Sequence, residues 1–234
     1  MVRAYLYLAF FIPLTFLFSV SALIATLFDG SGRAYARHAR LWARLALALN
    51  RVKVTVSGIE HLPDGPVIFM SNHQSNFDIL SLLSSLPRQI HWIAKKELFE
   101  IPVFGPSMRR GGYIPLDRGD GRKALQSMDE AADAIRQGKS VVLFPEGTRS
   151  TDQKLLPFKR GGFILARKAG VPVIPVTING SGRVNPPNQI RLYSGNIRMQ
   201  LHPAVVVPPD LRRNEAETWL MENVRSSIQS TLES

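Results

Sequence analysis

His73 and Asp78 lie five positions apart in the stretch Asn72-His73-Gln74-Ser75-Asn76-Phe77-Asp78. An apolar run, Val67-Ile68-Phe69-Met70, precedes it, and another, Ile79-Leu80-Ser81-Leu82-Leu83, follows. A histidine beside a carboxylate is equipped for general-base chemistry. Imidazole titrates near neutral pH, and a carboxylate on its second ring nitrogen orients it and stabilises the imidazolium that forms. The spacing restricts where such a pair can work, because residues five apart on one helix point about 140° away from each other. With His73 in a loop and Asp78 in the first turn of the next helix, the two can meet across the bend. Ser75 to Asp78 also fits a helix capping box, in which Asp78 only caps Ser75. On this motif alone both readings stand. The histidines at 38, 61, 91 and 202 lack such a context and read as surface or packing residues.

Other reactive groups also follow apolar runs. Phe144-Pro145-Glu146-Gly147-Thr148-Arg149-Ser150 joins a carboxylate, a glycine that admits close backbone approach, and an arginine whose planar fork suits phosphate. The plainer alternative is a solvated turn. Gly112-Tyr113-Ile114-Pro115-Leu116-Asp117-Arg118 puts Arg118 just past a short apolar run, and Lys95 and Lys96 follow Ile90 to Ala94. Val171-Pro172-Val173-Ile174-Pro175-Val176 reads as a strand whose prolines leave one edge without donors. Several strands ending in basic groups predict an anion-binding site at one end of a sheet. Two phosphate-binding patterns nearly match. Gly138-Lys139-Ser140 has Asp133 where a P-loop needs its first glycine, and it precedes a strand. Gly119-Asp120-Gly121-Arg122-Lys123-Ala124 fits a dinucleotide fingerprint, but Asp117-Arg118 intervenes where that fingerprint needs a tight turn.

The elements that must position these groups alternate after Arg51. Val52, Val54 and Val56 alternate with polar residues and end at Gly58, predicting a strand. Further strands are predicted over Val67–Met70, Ile90–Ala94, Tyr113–Leu116, Val141–Phe144 and Val173–Ile178. Helices are predicted over Ser75–Leu86, stopped by Pro87, and over Arg122–Gln137, closed by Gly138. Gly161–Ala169, with Gly170 after it, and Asn214–Leu232 complete the set. Residues 190–202 read as a hairpin turning at Ser194-Gly195-Asn196. The pattern predicts an α/β fold, a mostly parallel but mixed sheet flanked by helices.

The chain of 234 residues carries a net charge of +11 and a pI near 10.4, which calls for an anionic partner. Nucleic acid is disfavoured, because the aromatics do not interleave with the basic residues and no cysteine is present for zinc fingers. A membrane surface is favoured. No charged residue interrupts Ala4 to Phe28, a segment that as a straight helix would measure roughly 37 Å against a hydrocarbon core of about 30 Å. Arg33, Arg37, Arg40 and Arg44 follow it and only Arg3 precedes it, so the positive-inside rule places the remainder in the cytoplasm. Pro13 admits a second arrangement, a helix entering one leaflet. A cleaved signal peptide fits less well, because the basic residues come after the apolar stretch. The four arginines form one stripe of a helix over Ser31–Asn50, beside Leu41, Trp42, Leu45 and Leu49, the pattern of a helix lying in the headgroup region.

Taken in order, NHQSNFD, GGYIPLDR, FPEGTRS and VPVIPVTI resemble the four motifs of the glycerolipid acyltransferases, most nearly the 1-acyl-sn-glycerol-3-phosphate acyltransferase group. The resemblance runs from about Gly65 to Asn179. It implies membrane-associated helices over residues 1–50 and an acyltransferase α/β domain over 51–234. It also implies acyl transfer from a thioester of coenzyme A or acyl carrier protein to the sn-2 hydroxyl of lysophosphatidic acid, giving phosphatidic acid, with no metal and no cofactor beyond the donor. His73 matches the family's catalytic histidine and Asp78 its orienting aspartate. Glu146, Gly147 and Arg149 match the acceptor-binding loop, Arg118 the second motif's arginine, and Lys95 a lysine near the acceptor phosphate. The implied setting is the cytoplasmic side of an anionic membrane. Tyr113-Ile114-Pro115-Leu116 departs from the more aliphatic second motif of other members. Alternatives are another acceptor, such as glycerol 3-phosphate or a different lysophospholipid, and a catalytically silent lipid-binding protein. Leu98 to Phe104 offers an apolar wall for an acyl chain or an ordinary hydrophobic loop.

Overall fold

A computed structural model of the chain describes residues 2–116 and 121–233. Two helices come first, α1 (Val2–Phe28) and α2 (Arg33–Leu49). Strands and helices then alternate: β1 (Val52–Ser57), β2 (Ile68–Ser71), α3 (Phe77–Ser85), β3 (Ile90–Lys95), α4 (Phe104–Arg110) and β4 (Ile114–Leu116). They continue with α5 (Gly121–Arg136), β5 (Ser140–Leu143), α6 (Gly161–Ala169), β6 (Val173–Asn179), a short α7 (Ser181–Val184), β7 (Gly195–Leu201) and α8 (Arg213–Ser230).

The strands form one seven-stranded sheet in the order β1-β7-β6-β2-β5-β3-β4, parallel except where β6 meets β7. Because side chains alternate across a strand, β2 feeds two cores. Phe69 joins the layer built with α2 and α3, where Ala43, Leu47, Leu80 and Leu82 are buried. Ile68 and Met70 join the opposite layer with Ile135 of α5, Phe163 of α6 and Val224 of α8. The predicted mixed α/β architecture is what the chain forms.

The predicted hairpin over residues 190–202 does not form. Only β7 is a strand there, and it lies between two others, parallel to β1 with Val52 opposite Gly195 and antiparallel to β6 with Val176 opposite Leu201. Both its edges are taken, so residues 190–194 have no strand partner left. The Tyr193 amide bonds the Val184 carbonyl instead (2.9 Å), and the Asn185 side chain bonds the Arg191 carbonyl (3.1 Å). The proline-spaced strand β6 is interior. Its Pro175 carbonyl accepts the His202 amide (2.9 Å), and the ladder to β7 begins only at Val176, where a donor is again available.

Helix α1 has 27 residues, long and apolar enough to cross a membrane, and most of it is exposed. It is nonetheless docked on the rest of the protein along its length. Arg3 bonds the Asn50 side chain and carbonyl (3.1 and 2.7 Å), Tyr7 meets Phe77 in a tilted ring pair, Phe11 meets Trp42, and the Trp42 indole donates to Thr15 (3.0 Å). The arginine stripe of α2 is divided. Arg40 bonds the Leu86 carbonyl (2.7 Å) and Arg44 the Ser84 carbonyl (3.4 Å), so both cap the C-terminal end of α3, where helix carbonyls concentrate negative potential. Arg33, Arg37, Leu41, Leu45 and Leu49 remain exposed.

Candidate active site

β2, β5 and β3 are neighbours running in one direction, so the loops after them emerge together. Those loops carry His73 and the Phe144–Ser150 stretch, and Lys95 is the last residue of β3. At the end of β2 the Asn72 side chain acts as a surrogate strand residue. It donates to the Ile178 carbonyl (2.8 Å) and accepts the Ile178 amide (2.7 Å), which turns the chain out of the sheet at a fixed point.

The pair read from the sequence meets across that bend. His73 Nδ1 lies 2.8 Å from Asp78 Oδ2. The same oxygen accepts the amides of Gln74 (2.7 Å) and Ser75 (2.8 Å), while the Ser75 hydroxyl accepts the Phe77 amide (3.2 Å). Asp78 thus does two things at once: it ties the amides ahead of α3 and grips the imidazole. The helix begins at Phe77, two residues later than predicted, directly after Asn76. Asp78 is fully buried, whereas the His73 side chain is 14% exposed. A buried carboxylate at Nδ1 fixes the ring's orientation and makes Nδ1 its donor nitrogen toward Asp78.

Two aromatic rings hold the imidazole plane. Phe144 stacks on His73 at 3.8 Å between centroids and 8° between planes, and Trp92 of β3 lies beyond it at 5.6 Å. Phe144 opens the loop whose Gly147 sits at φ 69°, with its amide bonded to the Phe144 carbonyl (3.0 Å). A Cβ there would meet only the flexible end of the Lys159 side chain, at 3.0 Å, so the positive φ is what calls for glycine. Glu146 points inward and is 2% exposed. Its Oε1 accepts the His73 amide (2.7 Å) and its Oε2 the Leu156 amide (2.8 Å). Burial pushes its carboxyl up to about 7, although both amides and Arg225 pull the other way and Asp78 adds to the rise.

His73 faces a cavity of about 910 Å³. Its lining includes three cations, Lys95, Arg149 and Lys159, along with Gly147 and Thr148. Arg149 is steadied by a bond to Asn76 (3.0 Å). The remainder is largely apolar and extends to Phe18, Ala22, Ala39 and Trp42 of α1 and α2. Leu98 and Phe104 also line it, on either side of Val103, which sits at φ 65° and closes a three-residue turn from the Phe104 amide to the Pro102 carbonyl (2.7 Å).

His73, Asp78, Lys95, Glu146, Gly147 and Arg149 are thus brought together, all but Asp78 and Glu146 on the cavity wall. Arg118 lies outside the described residues. Sequence reasoning missed Lys159, the Asn72 clamp, the stacking role of Phe144 and the share of α1 and α2 in the wall. Lys159 is tied to the site by its amide bond to the Pro145 carbonyl (2.8 Å), a link between residues fourteen apart that no local pattern reveals.

Comparison with known proteins agrees with this arrangement. The family model described as Acyltransferase matches residues 53–179. A chloroplastic 1-acyl-sn-glycerol-3-phosphate acyltransferase of Brassica napus is 38% identical over 190 residues, 80% of this chain and 55% of the relative. The chain therefore spans about half the length of that relative. A 1-acyl-sn-glycerol-3-phosphate acyltransferase of Pseudomonas aeruginosa is 31% identical over 194 residues, covering 78% of this chain and 75% of its own. The crystal structure of the 1-acyl-sn-glycerophosphate acyltransferase of Thermotoga maritima superposes with a TM-score of 0.82 at 26% identity, over 98% of this chain and 95% of that one. The family match over residues 53–179, together with these relatives, places the chain in the acyltransferase family.

Proposed function

We propose that the chain transfers a fatty acyl group from a thioester donor, acyl-coenzyme A or acyl carrier protein, to the sn-2 hydroxyl of 1-acyl-glycerol 3-phosphate, giving phosphatidic acid. The observation that carries this reading is a single cavity lined by His73, by three cations, Lys95, Arg149 and Lys159, and by a largely apolar surface. A lysophospholipid has matching parts: an anionic phosphate, a hydroxyl and an alkyl chain. The relatives named above for 1-acyl-sn-glycerol-3-phosphate add support.

In this reading Arg149 and Lys95 hold the acceptor phosphate, with Lys159 beside them and Arg118 as the second motif's contribution. The acceptor hydroxyl hydrogen-bonds His73 Nε2. As its oxygen attacks the thioester carbonyl, the proton moves to Nε2, and Asp78 stabilises the imidazolium through Nδ1–H. The stacked Phe144 face also favours that cation. The tetrahedral intermediate collapses with cleavage of the C–S bond, and the proton on Nε2 passes to the departing thiolate. Acyl chains occupy the apolar part of the cavity, whose volume is that of a whole-ligand site. Helices α1 and α2 lie in the membrane surface with their exposed apolar side chains in lipid, and the catalytic domain faces the cytoplasm.

The test is acyl transfer by detergent-purified protein offered lysophosphatidic acid, glycerol 3-phosphate and lysophosphatidylcholine side by side, with wild type and His73→Ala. Turnover of lysophosphatidic acid, lowered roughly 10²- to 10⁴-fold in the variant, is the expected outcome, the scale of losing a general base. Turnover that survives the substitution refutes the mechanism. A preference for glycerol 3-phosphate or the choline lipid refutes the acceptor.

A further inference from the structure

We infer that Glu146 is a positioning residue for the base and not a ligand of the acceptor: it fixes the main chain of His73 from behind the site. The inference rests on the acyl-transfer reading above and changes the role that the motif resemblance implies for this glutamate.

The geometry is specific. Pro145, Gly147, Thr148 and Arg149 all line the cavity, but Glu146, between them, does not. Its carboxylate turns the other way, and each oxygen already receives a donor: Oε1 the His73 amide at 2.7 Å and Oε2 the Leu156 amide at 2.8 Å. The carbonyl of His73 is held by the same loop, since it accepts the Ser150 amide at 2.8 Å. Both backbone groups of the base-bearing residue are thus bonded to the segment between Glu146 and Ser150. Asp78 and Phe144 set the direction and plane of the imidazole, but only a fixed Cα converts those two constraints into a fixed position of Nε2.

The task selects the residue type. Two amides from two different loops need two acceptors on one side chain, and only a carboxylate supplies both without presenting a donor. Glutamine would accept one amide and point its NH₂ group at the other. Aspartate keeps the charge but is a methylene shorter. A neutral glutamic acid would likewise direct an O–H at one of the amides, so the ionised form makes the clamp. The charged groups acting on it are Asp78 of α3, which disfavours ionisation, and Arg225 of α8, which favours it.

The experiment compares wild type with Glu146→Gln in the lysophosphatidic acid assay, with acyl-coenzyme A saturating and pH varied across the neutral range. A displaced base lowers kcat by roughly ten- to a hundredfold, the scale of misplacing a reacting group by up to 1 Å, while KM for lysophosphatidic acid stays within about twofold. The part of the acid limb that comes from Glu146 should vanish in the variant. A raised KM with kcat retained would make Glu146 an acceptor ligand and overturn the inference, as would unchanged kinetics. If Glu146→Gln melts below the assay temperature, Glu146→Asp is read by the same split between kcat and KM. His73→Ala in the same series separates the two claims. Turnover that survives in it removes the proposed mechanism. Its loss upholds that mechanism, and the kinetics of the Glu146 variants then decide the positioning role.

Discussion

Asp78 concentrates three donors, the His73 ring and the amides of Gln74 and Ser75, on one oxygen. One carboxylate therefore ties the approach to a helix and orients an imidazole, which explains why a capping pattern and a histidine–aspartate pair coincide in the same residues. Glu146 is the opposite case, a carboxylate whose ionisation costs stability. Its folded-state value of about 7 exceeds the 4.5 of an ordinary glutamate, so between those values the folded state binds more protons than the unfolded state. Its contribution to stability thus falls as pH rises from about 4.5 to about 7, by roughly 3 kcal/mol in all. Burial lowers His91 and His202 below 6.5, and these act in the opposite direction over the lower part of that window. The measurement is accordingly a difference: chemical denaturation of wild type and Glu146→Gln at several pH values. The variant should gain on the wild type as pH rises through this range; a constant difference would show that Glu146 ionises normally.

At the scale of elements, the site depends on where strands end. The carboxyl ends of β2, β5 and β3 are adjacent, so three loops that are distant in sequence share one cavity. Asn72 sets the exit from β2 by pairing both backbone groups of Ile178. Asn72→Ala leaves a buried amide and a buried carbonyl without partners, at about 1–3 kcal/mol each. A loss of roughly 2–5 kcal/mol is expected in denaturant unfolding, with turnover reduced even where the protein remains folded, because the His73 loop loses its anchor. Stability within about 0.5 kcal/mol of wild type would mean that the clamp is dispensable.

Over the whole molecule, the N-terminal helices are part of the site as well as an apolar exterior. Thr15, Phe18, Ser19 and Ala22 of α1 line the cavity, while Phe10, Ile12, Phe16 and Leu17 are exposed. A crossing of the bilayer by α1 would separate Arg3 from Asn50 and strip the wall from the cavity. We therefore expect α1 to lie in one leaflet. The absence of native cysteine makes this directly measurable. Val2→Cys and Asp210→Cys, added to preformed sealed vesicles, should both react with a membrane-impermeant maleimide. Protection of position 2 until detergent is added would establish a span.

The strand and helix pattern from Val52 onward, the pairing of His73 with Asp78 and the motif order were legible in the sequence. Each rests on local information: alternation with a period of two, punctuation by glycine and proline, and a turn that brings residues five apart into contact. The failure over residues 190–202 marks the limit of such information. A strand's partner is a long-range choice, and β7 was claimed by β1, which precedes it by well over a hundred residues. The same holds for the site. Nothing local distinguishes Glu146, facing inward to the His73 amide, from Arg149 three residues later on the cavity wall. Nor does anything local announce that α1 closes the cavity. Sequence alone determined which groups were present and which elements carried them. Tertiary structure decided which way each group faced, because that depends on amides and apolar surfaces supplied by distant segments.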